Sequence, residues 1–278
     1  MTQQVGSEDT GALNVVPLPL LSVVLPFSLE DSDNNADHSH IEWRDVIFAR
    51  LAEVELIEVV RGRGKTRGER LQDGINACRA DMILLHHPRS LIDREGIEWL
   101  RDNAATLSWG GFTHAFDSDH FLLRFTSWYS NRVRAARGVL YLDHCIFFKR
   151  ELLTRPIPPV PIFEDTELSY ILRESSGTAP VILPFSSVTS SVRFATNGVF
   201  WQAILNQWMK LNYLLGRSYH DMNSSYERGL QLNDANSVNV KAEAEAEAEA
   251  ATIIAISKKS KGVSTLTWML GLFLLSQT

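Results

Sequence analysis

The chain has 278 residues, 45% hydrophobic and 22% charged, with a formal net charge of −6. That length supplies one sizeable core, so one large domain with tails is the expected organisation. The acidic balance excludes a global basic field, so nucleic acid is not an expected partner, although residues 61–67 (Arg-Gly-Arg-Gly-Lys-Thr-Arg) form a local basic knot.

Residues 1–20 lack the basic start and compact apolar stretch of a secretion signal and read as a flexible leader. Residues 22–26 (Ser-Val-Val-Leu-Pro) are a short β-rich run ended by proline, and the polar, His-bearing residues 31–40 suggest a loop, in which His38 and His40 are expected to be solvated. Between 41 and 60 the pattern is mixed: residues 46–48 suit either strand or helix, whereas residues 56–60 read as a strand. The basic knot follows directly. Its glycines and cations suit a diphosphate, or a solvated loop beside a strand; it is not a P-loop, because the order of glycine, lysine and hydroxyl is not met.

Leu71, Ile75 and Cys78 then share a helical face, and residues 81–87 read as a buried strand emerging at polar residues. Strand, loop, helix, strand is an α/β rhythm. Active groups in open α/β sheets gather at the carboxyl ends of strands, which places the knot, residues 86–90 and Asp143 on one rim. A helix is expected over residues 121–137, a buried strand across residues 141–150, a strand near residues 181–188 and a helix over residues 198–215. His114 and His144 read more readily as packed or hydrogen-bonded groups than as catalytic ones. Cys78 and Cys145 lie far apart beside apolar residues, which suits reduced thiols in the cytoplasm and no cysteine metal site.

The most informative stretch is Glu164-Asp165-Thr166-Glu167, which follows a proline-rich segment and opens an apolar-periodic run. Acids at a helix N-terminus are stabilising by roughly 0.3–1 kcal/mol each, which is one account of the cluster. A second is that Asp143, about twenty residues upstream, presents its carboxylate to the same cleft, as sugar-transfer chemistry requires of a base. Beyond residue 218 the composition changes. Residues 242–250 alternate Ala and Glu and read as a spacer, and the apolar residues 263–275 are too short to span a bilayer, leaving peripheral membrane contact, a non-functional tail or a tail packed on the domain.

The order of these motifs resembles the family 2 glycosyltransferases, in particular a compact bacterial subgroup associated with radical-SAM and selenium-related genes. The residues carrying it are 22–26, 61–63, 74–81, the strand ending at His87, 110–112 with 116–117, Asn131-Arg132, Asp143 with 147–150, Glu164-Asp165 with Glu167-Leu168, and 211–216. The resemblance spans about residues 21–218, between a leader (1–20) and a linker with an apolar tail (219–278). It implies an A-type nucleotide-diphospho-sugar transferase domain, α/β with a mostly parallel central sheet flanked by helices. It also implies transfer of a sugar from a nucleotide-diphospho-sugar to an acceptor, with Asp165 the base that deprotonates the acceptor hydroxyl, and Glu164 and Asp143 orienting acceptor and base.

Two departures from the family pattern bear on the donor. Where the family carries an aspartate that holds Mg²⁺ or Mn²⁺ against the phosphates, this chain has His87-Pro88-Arg89-Ser90. A guanidinium repels a cation but binds phosphate oxygens in a fork, so Arg61, Arg63 and Arg89 are the candidate diphosphate ligands and no metal ligand is assigned; Asp93 is a ligand only if the alignment shifts. The family's Asp-Gly-Gly-Ser turn has no counterpart between 41 and 60, a segment that reads as too short for the full strand, helix and strand. A non-catalytic binding or scaffold protein on the same fold is the competing reading, and nucleotidyl transfer is a third.

Overall fold

The computed structural model describes residues 18–26 and 38–231; side chains at 38–42 and 227–231 are outside it, as are the leader to residue 17, the Ala/Glu spacer and the apolar tail. β1 (Leu21–Leu25) is followed by α1 (His38–Ala52), β2 (Ile57–Arg61), α2 (Arg67–Ala77), β3 (Met82–Leu85) and the short β4 (Ser90–Ile92). Then come α3 (Arg94–Asp102), β5 (Trp109–Phe116), α4 (Phe121–Tyr129), β6 (Phe147–Lys149), α5 (Glu164–Ser176), β7 (Val181–Thr189), α6 (Val192–Asn197), α7 (Val199–Leu214) and α8 (Tyr219–Gln231).

The seven strands form one sheet in the order β2-β1-β3-β6-β5-β7-β4. β1 runs parallel to β2 and β3, and β5 parallel to β7, whereas β6 is antiparallel to β3 and β5, and β4 to β7. The fold is therefore mixed α/β, and the expectation of a mostly parallel sheet is corrected. β4 follows β3 after four residues, far short of the dozen a parallel crossover needs. β6 is entered through a 3₁₀ turn (Leu142–His144) ending at Cys145 in the left-handed region (φ 49°), so residues 141–150 are not one strand.

Alternation along the strands divides the core between two faces. Val23, Met82, Leu84 and Phe147 point towards α1 and α3, against Ile47, Leu51, Ile97 and Leu100. Val24, Ile83, Leu85 and Phe148 point towards α2 and α5, against Leu71, Ile75, Leu168 and Leu172. α1 begins at His38, so residues 38–40 are helical where a loop was expected, and 46–48 are helical also. β2 pairs with β1 over five residues in parallel register, so strand, helix and strand are complete here and the expected truncation is corrected.

The helix expected over 121–137 is α4 only to Tyr129, continuing as a π turn (Ser130–Arg134) and a 3₁₀ turn (Ala135–Arg137) that ends at Gly138 (φ 80°). Past residue 218, Met222 of α8 packs with Met209 of α7 and Phe163, so ordered packing extends into the segment read as linker. Among the described residues no helix is long and apolar enough to cross a membrane.

Candidate functional site

Beside the end of α5 that begins with the acidic cluster lies a cavity of about 250 Å³. Arg67 reaches it as the first residue of α2. Thr66 caps that helix, accepting from the Glu69 amide (3.1 Å) while the Glu69 carboxylate accepts from the Thr66 amide (3.2 Å), a reciprocal capping box that fixes where the helix starts. Gly68 allows the first turn to press on the proline-rich segment, because a Cβ there would sit 2.2 Å from the Pro158 carbonyl oxygen.

The three acids of α5 do three different things. Glu164 is fully buried and takes a close hydrogen bond from the Arg67 guanidinium. Asp165 sits 4.0 Å from the same guanidinium, and its Oδ2 accepts from the Leu142 amide (3.0 Å) while Oδ1 accepts from the Thr166 amide (2.8 Å). Glu167 accepts from the hydroxyls of Tyr213 and Tyr219, both at 2.8 Å, tying α7 and α8 to α5. Asp165 thereby anchors the turn that carries Asp143, and both carboxylates line the cavity.

Asp143 has one oxygen 3.4 Å from His114 Nε2, and its other, Oδ1, has no hydrogen-bond partner in the protein. His114 stands on β5, where Asn131 clamps its backbone by donating to its carbonyl and accepting from its amide, each at 2.9 Å. His144 lies between the Phe112 carbonyl (Nδ1, 3.0 Å) and the Ser130 hydroxyl (Nε2, 2.6 Å). The first contact requires a proton on Nδ1, so Nε2 accepts from Ser130. Burial pushes His144 down to about 4 and lowers His114 and His87 as well, so these rings are neutral at pH 7.

Burial alone would raise Asp143, but in the acid range where it titrates the protonated His114 and His144, with Arg134, outweigh burial and hold the carboxyl at about 2. Burial wins at Glu164, lifting it to about 7 against the opposing pull of Arg67, and it also raises Asp165. Arg67 itself is held above its ordinary value by the two carboxylates, in spite of burial.

Five cations line the same cavity: Arg67, Arg89, Arg134, Arg193 and Lys210. Arg134 is buried with its guanidinium 3.8 Å from the centre of the Tyr141 ring, and Arg193 lies 4.5 Å over Tyr226 of α8. Burial, reinforced by Arg134, brings Lys210 down to about 7. Four arginines, one of them paired with Glu164, together with Lys210, half charged near pH 7, outweigh the two carboxylates and make an anion-binding cavity with an ionised acid at its wall.

Of the sequence-assigned residues, Asp143, Asp165 and Arg89 come together here, and Glu164 stands behind the wall, salt-bridged to Arg67. Arg61 and Arg63 do not reach it, which corrects their placement on the rim. β2 is an edge strand, Arg61 stacks on Phe48 (4.5 Å), and the Arg63 backbone donates to Asp73 (2.8 Å). The knot of residues 61–67 contains the cation that matters, but the assignment stopped at Arg63, four residues short of it; the cap at Thr66, legible as Thr-x-x-Glu, marks Arg67 as the helix start. Arg134, Arg193 and Lys210 went unassigned because nothing local distinguishes them from surface cations.

The residues at this site do not fit a divalent metal. Arg89 stands where the family resemblance requires a carboxylate, and among the described residues no three His, Cys, Asp or Glu side chains are grouped so as to hold a metal ion.

No family model matches the chain, and no curated protein does. Among solved structures it is similar to residues 1–349 of Staphylococcus aureus TarS (11% identity, TM-score 0.37, 62% of this chain and 61% of that one). It is similar to the same TarS fragment in complex with UDP-GlcNAc (12%, 0.38, 62% and 58%) and to a protein described as a nucleotide-diphospho-sugar transferase from Desulfovibrio desulfuricans G20 (10%, 0.36, 64% and 87%). The chain spans about three fifths of the length of the TarS fragment.

Proposed function

We propose that the chain is a glycosyltransferase-like protein that holds a nucleotide-diphospho-sugar through arginines rather than a metal, with its diphosphate against Arg89, Arg67 and Arg193. The observation that carries this is the convergence of five cations with Asp143 and Asp165 on one cavity. A leaving diphosphate concentrates negative charge, and guanidinium groups fixed in a partly dehydrated cavity stabilise it without reorganising. Asp165 is the base: its raised pKa makes it the stronger proton acceptor of the two carboxylates. Asp143, ionised and with its side chain 25% exposed at the cavity, orients the acceptor hydroxyl.

One observation favours the scaffold reading. Both Asp165 oxygens accept backbone hydrogen bonds, which is the geometry of a structural anchor.

Calorimetric titration with UDP and with GDP, each with Mn²⁺ and with EDTA, separates these readings. Binding that persists in EDTA and weakens by about tenfold or more in Arg89→Asp supports the donor reading, since a hydrogen bond to a charged group contributes roughly 1.5–3 kcal/mol. No binding under any condition supports the scaffold, and binding that requires Mn²⁺ overturns the arginine assignment.

A further inference from the structure

α4 and α7 wall the cavity on one side and carry an apolar face on the other. On α7, Trp201, Ile204, Trp208 and Leu211 recur at spacings of three and four, with Leu215 one turn on, and all are exposed among the described residues, Trp201 at 65% and Trp208 at 57%. On α4, Phe121 and Trp128 are exposed with Arg124 between them. The two stripes meet where Phe121 and Phe200 lie 6.5 Å apart. Exposed apolar surface of this extent marks an interaction site, and tryptophan with phenylalanine suits a boundary between apolar and aqueous phases.

Charge selects the occupant. Residues 121–142 hold four arginines, residues 192–217 hold two arginines and a lysine, and neither segment contains an aspartate or glutamate, in a chain of net charge −6. Arg134, Arg193 and Lys210 face the cavity, whereas Arg124, Arg132, Arg137 and Arg217 are exposed. The acids that flank the two segments in sequence are Asp119, Asp143, which lines the cavity, and Asp221. A second copy would present the same positive rim to itself. An anionic phospholipid surface meets both requirements, apolar insertion for the rings and negative headgroups for the arginines.

We propose that the exposed face of α4 and α7 docks on an anionic bilayer, setting the cavity beside the lipid. The face holds independently of the donor reading, because vesicle binding is measured without nucleotide.

The test is co-sedimentation of the full chain with phosphatidylcholine vesicles with and without phosphatidylglycerol, alongside tryptophan emission. Binding is expected only with the anionic lipid, with a blue shift, and to weaken as salt rises. Trp201→Gln with Trp208→Gln is expected to weaken it at least about tenfold, from the apolar area removed. Arg124→Gln with Arg217→Gln, at positions whose exposure spares the fold, is expected to weaken it roughly fivefold per cation. A tail variant, Leu270→Ser with Phe273→Ser, is expected to keep most of the binding. The proposal is overturned by absence of vesicle binding, by binding unchanged in both helix variants but lost in the tail variant, or by a wild-type dimer that Trp201→Gln with Trp208→Gln turns into a monomer without any effect of lipid.

Discussion

Glu164 offers the sharpest test of the buried acids. It is fully buried against Arg67, and its carboxyl rises from 4.5 to about 7 because burial outweighs the attraction of that guanidinium. A folded-state pKa above the unfolded value favours the fold while the group is protonated. That contribution is full below about pH 4.5 and lost as pH rises through 7. The loss is about 3 kcal/mol, at 1.36 kcal/mol per pH unit over the interval. Glu164→Gln keeps the shape and cannot ionise, so the stability of wild type minus variant should fall by that amount between pH 4.5 and 8. Subtraction removes the histidines, whose depressed pKa values act in the opposite direction in both proteins. The measurement is urea unfolding by tryptophan fluorescence at half-unit steps of pH. A difference that stays flat would refute the reasoning and mean that Arg67 compensates the buried charge in full.

Arg67→Met leaves Glu164 and Asp165 without their cation and should cost about 3–5 kcal/mol at pH 7, read by denaturant midpoint, with recovery at pH 5 as the acids protonate. Asp143, held at about 2, contributes stability that is present above about pH 4 and lost as pH falls towards 2. Wild type minus Asp143→Asn should therefore drop by about 2 kcal/mol over that window in acid unfolding. Lys210, near 7, should react with an amine-selective reagent with a midpoint near pH 7, and saturating UDP should move that midpoint up if the diphosphate lies beside it; mass-spectrometric labelling reads both. Gly110→Ala would place a Cβ 2.0 Å from the Val181 carbonyl oxygen across the β5–β7 ladder, so thermal unfolding should show a loss of several kcal/mol, or no fold.

Strands and helices were legible wherever period and burial agreed. Residues 22–25 and 82–85 alternate towards two apolar layers, so their runs read as buried strands, and the 3.6 period of Leu71 and Ile75 identified α2. Direction was not legible. Three adjacent pairs are parallel and three antiparallel, and β6 is entered through a left-handed residue, Cys145, which carries no glycine or asparagine signal. Asp143 could be singled out because an acid interrupting an apolar run is conspicuous, Asp165 because it stands in an acidic cluster that opens a helix, and Arg89 only through the family resemblance, which places it where a carboxylate is expected. The cations supplied by the π turn, α6 and α7 sit among other polar residues, and only the tertiary packing of those helices against α5 converts them into a cavity wall. The basic knot misled for the opposite reason. It is conspicuous locally, but its strand lies at the sheet edge, with four others between it and β7.

The π turn at Ser130–Arg134 has a bearing on how this site is inherited. Such a turn arises by inserting one residue into a regular helix. Ser130 holds His144, Asn131 clamps His114 and Arg134 covers Tyr141, so three contacts around Asp143 come from this turn. Deleting Val133 would restore ordinary helical pitch, rotate the following residues by about 100° and swing Arg134 away from the ring. A lineage could lose this wall of the cavity through one in-frame codon deletion, with no substitution in either carboxylate.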